Sequence, residues 1–162
     1  MSQLPPLDIR RFQHTPEDRQ RINGFFDSLD AQSRAFFNRG DNTRKDALRF
    51  FDQENEERDA HILRLMAVDK NGNMVGYLFS SAINSGVPGI GLGVTPRLQG
   101  KGLGMKLVQS AWNILYGKGA RGMLLCTHHA NLPAQSLYYK FGFEHFGTHP
   151  SGEMLFIYRH RE

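Results

Sequence analysis

Apolar and polar positions alternate from Leu7 to Phe12, the two-residue period of a strand with one buried face. Thr15-Pro16-Glu17-Asp18 follows, with a hydroxyl cap, a proline where no donor is needed and acidic groups at the positive end of a helix dipole. A helix is predicted from there to about Leu29. Asp30 and Thr43 are further cap candidates, leading into short helices that carry Phe36 and Phe37, then Ala47, Leu48 and Phe51 on one face. His61 to Asp69 and Met74 to Ala82 read as strands joined by Lys70-Asn71-Gly72-Asn73, whose Asn-Gly pair supplies the positive φ angles of a tight hairpin. Ser85-Gly86-Val87-Pro88 marks another turn, and Gly89 to Val94 returns as a third strand of an antiparallel meander.

The period then changes. Leu103, Leu107, Val108, Ala111, Ile114 and Leu115 fall on one stripe of a long helix that Gly117 and Gly119 can stop. Met123 to Thr127 is a short strand, and Leu132 to Phe141 a helix capped by Asn131 and ended by Gly142. Phe143 to Thr148 and Met154 to Tyr158 form a last hairpin around Pro150-Ser151-Gly152. The central strand, helix, strand unit implies a parallel crossover. The expected fold is therefore α+β with αβα layers, built on a mixed, mostly antiparallel twisted sheet of about six to seven strands with a central parallel pair.

A chain of 162 residues without internal repeats fits one domain, taken as 1–162. Nothing near Met1 reads as a leader and no apolar run is long enough to span a membrane, so a soluble, cytoplasmic protein is expected. Cys126 is the single cysteine, which excludes an internal disulfide and a multi-cysteine zinc site and suits a reducing compartment. The formal charge of +4 is interleaved rather than blocked, as in Glu54, Glu56, Glu57, Arg58 and Asp59. No aromatic and basic stripe accompanies it, so no nucleic-acid partner is expected.

Chemistry concentrates at Val94 to Gly104, where a strand meets the start of the long helix and glycines cluster. Glycines there let successive N–H groups converge on an anion while the helix dipole adds positive potential, so a phosphate or pyrophosphate is the natural guest. A P-loop would need glycine at Thr95 and a hydroxyl at Gly102, and a dinucleotide fingerprint from Gly100 would need a small residue at Met105. Neither pattern fits.

What does fit is Gln-x-x-Gly-x-Gly at Gln99, Gly102 and Gly104, which resembles the pyrophosphate motif of the GNAT superfamily of N-acetyltransferases. The stretch from Asn131 to Phe143 resembles that family's other signature, Asn-x-x-Ala-x-x-x-Tyr-x-x-x-Gly-Phe, at every named position. Val75-Gly76-Tyr77 and Val94-Thr95-Pro96 extend the resemblance to about Ala67–Phe143. It implies that the parallel strands splay and that acetyl-CoA lies in the V. Pantetheine would pair with backbone at Leu92, Gly93 and Val94, with pyrophosphate on N–H groups of Gln99, Gly100, Lys101, Gly102, Leu103, Gly104 and Met105. A backbone N–H near Val94 is then the oxyanion donor, Tyr138 the general acid at the CoA sulfur, and Asn131 a helix cap and CoA contact. The reaction so implied is acetyl transfer to a primary amine of a small molecule or a protein by direct attack in a ternary complex. The alternative is an acetyl-CoA-binding regulatory domain without catalysis. Family members are often dimers, which leaves a homodimer open.

The general base departs from the family's better-understood pattern, because neither Gly89 to Val94 nor Met123 to Thr127 contains an acid. A water chain, a group on the N-terminal helices, or His128 or His129 at the strand end would then take the amine's proton, and His128 is the residue named for it. Cys126 reads as a small buried hydrophobe, and adjacent histidines on a strand point to opposite faces, so no metal site is expected. Phe25, Phe26, Phe36, Phe37, Phe50 and Phe51 read mainly as core, with an apolar acceptor pocket as the other use of them.

Overall fold

The computed structural model describes residues 4–37, 43–52 and 59–161, so the charges read at positions 54 and 56–58 lie outside the described residues. Strand β1 (Leu7–Arg11) leads through α1 (Pro16–Ser28), α2 (Ala31–Phe37) and α3 (Arg44–Leu48) to β2 (Ile62–Asp69), β3 (Met74–Ser81) and β4 (Gly89–Val94). After a short 3-10 turn at Pro96–Leu98 come α4 (Leu103–Gly117), β5 (Gly122–Thr127), α5 (Leu132–Phe141), β6 (Glu144–Thr148) and β7 (Met154–Arg159). The caps form as the sequence indicates. Thr15 Oγ1 accepts the Asp18 N–H at 3.1 Å, Asp30 Oδ1 the Ser33 N–H at 2.8 Å and Thr43 Oγ1 the Asp46 N–H at 3.2 Å. Gly142 ends α5 at φ +118°.

The strands form one seven-stranded sheet in the order β1-β2-β3-β4-β5-β7-β6. Every adjacent pair is antiparallel except β4 with β5. The expected α+β mixed sheet is therefore present, with helices on both faces. One face carries α4, whose Leu103, Leu107, Val108, Ala111 and Leu115 are buried against Leu63, Leu65, Ala67 and Leu78. Each such leucine or valine side chain removed from water stabilises the fold by about 1.5–3 kcal/mol. The other face carries α1–α3, whose Ile22, Phe25, Phe26 and Phe37 pack on Met66, Met74, Tyr77 and Phe79.

Two local expectations need correction. The β2–β3 connection is wider than a two-residue hairpin: Asp69 and Asn73 close it through an N–H to carbonyl bond of 2.9 Å, and Gly72 alone takes positive φ, at +80°. Asp69 Oδ1 supplies the reason, since it accepts the Asn71 and Asn73 N–H groups, each at 2.9 Å, and turns the loop around itself. β3 ends at Ser81 rather than Ala82, because Ala82 turns into the left-handed region at φ +52°.

Beneath α1 sits a buried ionic knot. Asp18 is fully buried and accepts two bonds from Arg10 (2.8 and 2.7 Å), one from Arg21 (2.7 Å) and one from the Gln13 N–H (2.8 Å). Burial alone would raise its carboxyl, but the Arg10, Gln13 and Arg21 bonds outweigh it and hold the pKa at about 2.

Candidate active site

β4 and β5 touch at a single register pair, Gly89 with Leu124, backed by a 2.9 Å bond from the Leu124 N–H to the Pro88 carbonyl. Beyond it they part, while β4 stays paired with β3 from Gly89 to Val94 on its other edge. A V opens towards the C-terminal ends of both strands, with the β4 edge at Leu92, Gly93 and Val94 on its wall. α5 forms one side through Ala134, Leu137 and Tyr138, and α2 the opposite side through Ser33, Phe36 and Phe37. The enclosed cleft has a volume of about 350 Å³.

The glycines divide their work. Gly100 and Gly102 adopt φ of +76° and +91°, angles that only glycine takes without strain, and so fold the loop onto the helix start. Gly102 precedes α4 without a side-chain cap, and the first helical bond runs from Lys106 N–H to the Gly102 carbonyl at 3.2 Å. The N–H groups of Leu103, Gly104 and Met105 therefore precede the ladder and are free to bind an anion. Gly104 serves packing instead, because a Cβ there would collide with Leu137, and its bareness lets α4 close on α5. Gly93 is bare for the same kind of reason, since a Cβ would lie 2.7–3.0 Å from the Phe37 ring.

Gln99, Gly100, Gly102, Gly104, Met105 and Asn131 all line the cleft with Leu92, Gly93, Val94 and Tyr138. Lys101, Leu103 and His128 do not. The Leu103 side chain is in the core, and its backbone alone faces the loop. Asn131 combines both expected positions, capping α5 through the Ala134 N–H at 3.4 Å and lining the cleft. Tyr138 is buried, and that burial raises its phenol above the ordinary value, keeping it protonated and able to donate.

Sequence reasoning missed the role of α2. Gln99 Nε2 donates to Ser33 Oγ and to the Val94 carbonyl, both at 3.0 Å, while the Phe36 ring lies 5.2 Å from that of His128. α2 thus bridges the wide end of the V, from β4 to the end of β5. Of the aromatic set, Phe25, Phe26 and Phe37 are core, Phe50 and Phe51 pack at its margin, and Phe36 lines the cleft. Only the adjacent Phe36-Phe37 pair signalled that α2 has two apolar sides.

The far end of β5 also departs from expectation. Cys126 is exposed, not buried. β5 turns Met123 and Leu125 into the α4 core, so Leu124 and Cys126 face the other side, where none of α1–α3 packs appreciably on β5, β6 or β7 among the described residues. Partial burial and the nearby charge of Glu153 raise the Cys126 thiol above its ordinary value. His128 and His129 lie beyond the strand and stack, ring centroids 4.4 Å apart, rather than pointing to opposite faces. The Ala130 N–H donates to His128 Nδ1 at 3.0 Å, which puts the neutral ring's proton on Nε2. Among the described residues no three His, Cys, Asp or Glu side chains are grouped to hold a metal ion, and no helix is long and apolar enough to cross a membrane.

Arg97 is tied to Asp69 at 3.1 Å and faces a second cavity of about 610 Å³, lined also by Glu17, Gln20 and Arg21. At the inner end of that cavity, Thr95 Oγ1 donates to Ser28 Oγ at 2.9 Å.

The family model described as Acetyltransferase (GNAT) family matches residues 24–143. Mycothiol acetyltransferase of Arthrobacter sp. strain FB24 is 39% identical over 85 residues, covering 49% of this chain and 26% of the relative. The chain thus spans about a quarter of that relative's length. A Bacillus subtilis protein named for N-acetylating the alanine of ribosomal protein bS18 is 31% identical over 95 residues, covering 59% of this chain and 61% of the relative. Among solved structures, the PaiA N-acetyltransferase of Thermoplasma acidophilum in complex with coenzyme A superposes with a TM-score of 0.73 at 19% identity, covering 96% of this chain and 99% of that one.

Proposed function

Because the chain belongs to the GNAT acetyltransferase family, we propose that it works as a single acetyltransferase domain moving the acetyl group of acetyl-CoA to a primary amine by direct attack in a ternary complex. The observation that carries the reading is the V itself: two parallel strands that part after one register pair, with a helix start presenting unladdered N–H groups beside the opening. A strand edge of that kind offers amide partners to the pantetheine arm at Leu92, Gly93 and Val94. The loop from Gln99 to Met105 offers N–H donors to pyrophosphate. Gln99 serves the loop's shape as well, since its side chain holds the Val94 carbonyl.

In the reaction an uncharged amine nitrogen forms a bond to the thioester carbonyl carbon, the C–S bond breaks, and the thiolate takes a proton. An N–H near Val94 stabilises the developing oxyanion, and Tyr138 supplies the proton to sulfur. His128 accepts the amine's proton in this reading, after its Nδ1 gives up the Ala130 N–H. One relative is named for mycothiol and another for an alanine of a ribosomal protein, so the acceptor is assigned here only as a primary amine. The rival reading, a domain that binds acetyl-CoA without catalysis, draws on one observation: no aspartate or glutamate lines the cleft among the described residues.

The test joins calorimetry with acetyl-CoA to a CoA-release screen against amines, amino sugars, polyamines and peptides. The expected result is saturable binding and release with at least one acceptor, and a Tyr138→Phe variant that binds acetyl-CoA as before but turns over about 10²-fold more slowly. Binding without release across the panel would establish the regulatory reading instead.

A further inference from the structure

An alkylamine reaches the V as a cation at neutral pH, yet the described cleft lining holds Lys140 and no carboxylate. The strand register shows where a carboxylate is available. β5 and β7 pair Cys126 with Leu155 and Thr127 with Met154, where the ladder ends, and His128 and Glu153 are the next residues beyond it on the two chains. Cross-strand partners share a face, as do residues two apart on a strand. Cys126 and Leu155 therefore form a patch on the face that α1–α3 leave open, and His128 and Glu153 follow at its end. The His128 ring meets Phe36 of α2 at 5.2 Å, so the patch adjoins the wide end of the V.

Glu153 is prepared for a partner. Its Oε1 accepts the Ser151 hydroxyl at 3.2 Å, the Ser151 oxygen accepts the Glu153 N–H at 3.3 Å, and the same hydroxyl lies 2.9 Å from His149 Nδ1. These bonds hold the carboxylate at the root of its hairpin. Among the described residues it makes no ion pair, although the chain carries a net charge of +4. The neighbouring surface is partly buried Leu124, Leu155 and Ile157.

We propose that Glu153 anchors the ammonium of the acceptor on the open face of β5 and β7, selecting cationic primary alkylamines that have no carboxylate beside the amine. The inference rests on the acetyl-transfer reading above. A carboxylate next to the amine would meet Glu153 with like charge, whereas an apolar or cationic neighbour would lie on Leu155 and Ile157. His128 then receives the proton of an amine already held beside it.

The decisive measurement compares wild type with Glu153→Gln using 2-phenylethylamine, spermidine and glucosamine as cationic acceptors, phenylalanine as the carboxylate-bearing one and O-benzylhydroxylamine as a nucleophile that is neutral at pH 7. Loss of one charge-assisted contact predicts KM for the cationic acceptors higher by about 10- to 100-fold with kcat little changed. KM for O-benzylhydroxylamine stays as it was, phenylalanine is a poor acceptor for wild type, and Glu153→Asp recovers part of the loss. Unchanged calorimetric binding of acetyl-CoA shows that the variant is folded. Wild-type transfer with an unaltered KM for the cationic acceptors in Glu153→Gln overturns this inference alone. Absence of transfer from wild type to every acceptor overturns it together with the reading on which it rests.

Discussion

On the sheet face that carries α1–α3, the half made by β1–β4 is closed and the half made by β5–β7 is open, and the two halves use polar residues in opposite ways. In the closed half, polar groups are buried and tied down. Asp18 is locked by two arginines, and Arg64, 5% exposed, pairs with Asp59 at 2.7 Å. That half even holds costs: Arg64 Nε, Asp59 Oδ2 and the Tyr77 hydroxyl are buried without hydrogen-bond partners among the described residues. In the open half Cys126, His128 and Glu153 stand at the surface, and little packing depends on them. On this face packing is therefore concentrated under α1–α3, while the strands beyond them carry polar side chains at the surface.

Substitutions can break that comparison. The largest effect is expected from Asp18→Asn, which leaves Arg10 and Arg21 without their buried counter-charge and should lower unfolding free energy by about 3–5 kcal/mol in urea titrations. Acid sharpens the point. With a folded pKa of about 2, below the unfolded value, the carboxylate contributes fully above the unfolded value and loses its contribution as pH falls through 2. Wild type should show that loss and the variant should lack it. A variant as stable as wild type would mean that the closed half does not depend on its ionic knot. Gly93→Ala comes next, since its Cβ would lie 2.7–3.0 Å from Phe37 and force the ring or strand to move, at about 1–3 kcal/mol by the same assay. The smallest effect belongs to the open half: Cys126→Ser should shift stability by less than about 0.5 kcal/mol. A larger loss would show that this surface is covered in solution.

What could be read from sequence follows the range of the interactions concerned. The caps at Thr15, Asp30 and Asn131, the stop at Gly142 and the stripe from Leu103 to Leu115 depend on neighbours within a few residues, and all stand where the pattern puts them. So do Gln99 and Gly102 in the loop before a helix and Gly104 in its first turn. The bridge from α2 was invisible because Gln99 and Ser33 are 66 residues apart, and nothing local joins them. Cys126 was misjudged for another reason. Alternation tells which residues of β5 share a face, but whether a helix lies over that face depends on where α1–α3 come to rest. The β2–β3 turn was misread because Asp69, outside the Asn-Gly pair, controls it through its side chain.

The parting of β4 from β5 has a further consequence. From Ile90 to Val94, β4 is an edge strand lodged inside the molecule, with one side bonded to β3 and the other facing the cleft. An unpaired edge is a template for any extended chain, including the strand of another protein molecule. The walls provided by α2 and α5 flank that edge on both sides. The architecture that receives a ligand is in the same stroke a guard against aggregation, and damage to the α2 wall would uncover an unpaired strand edge.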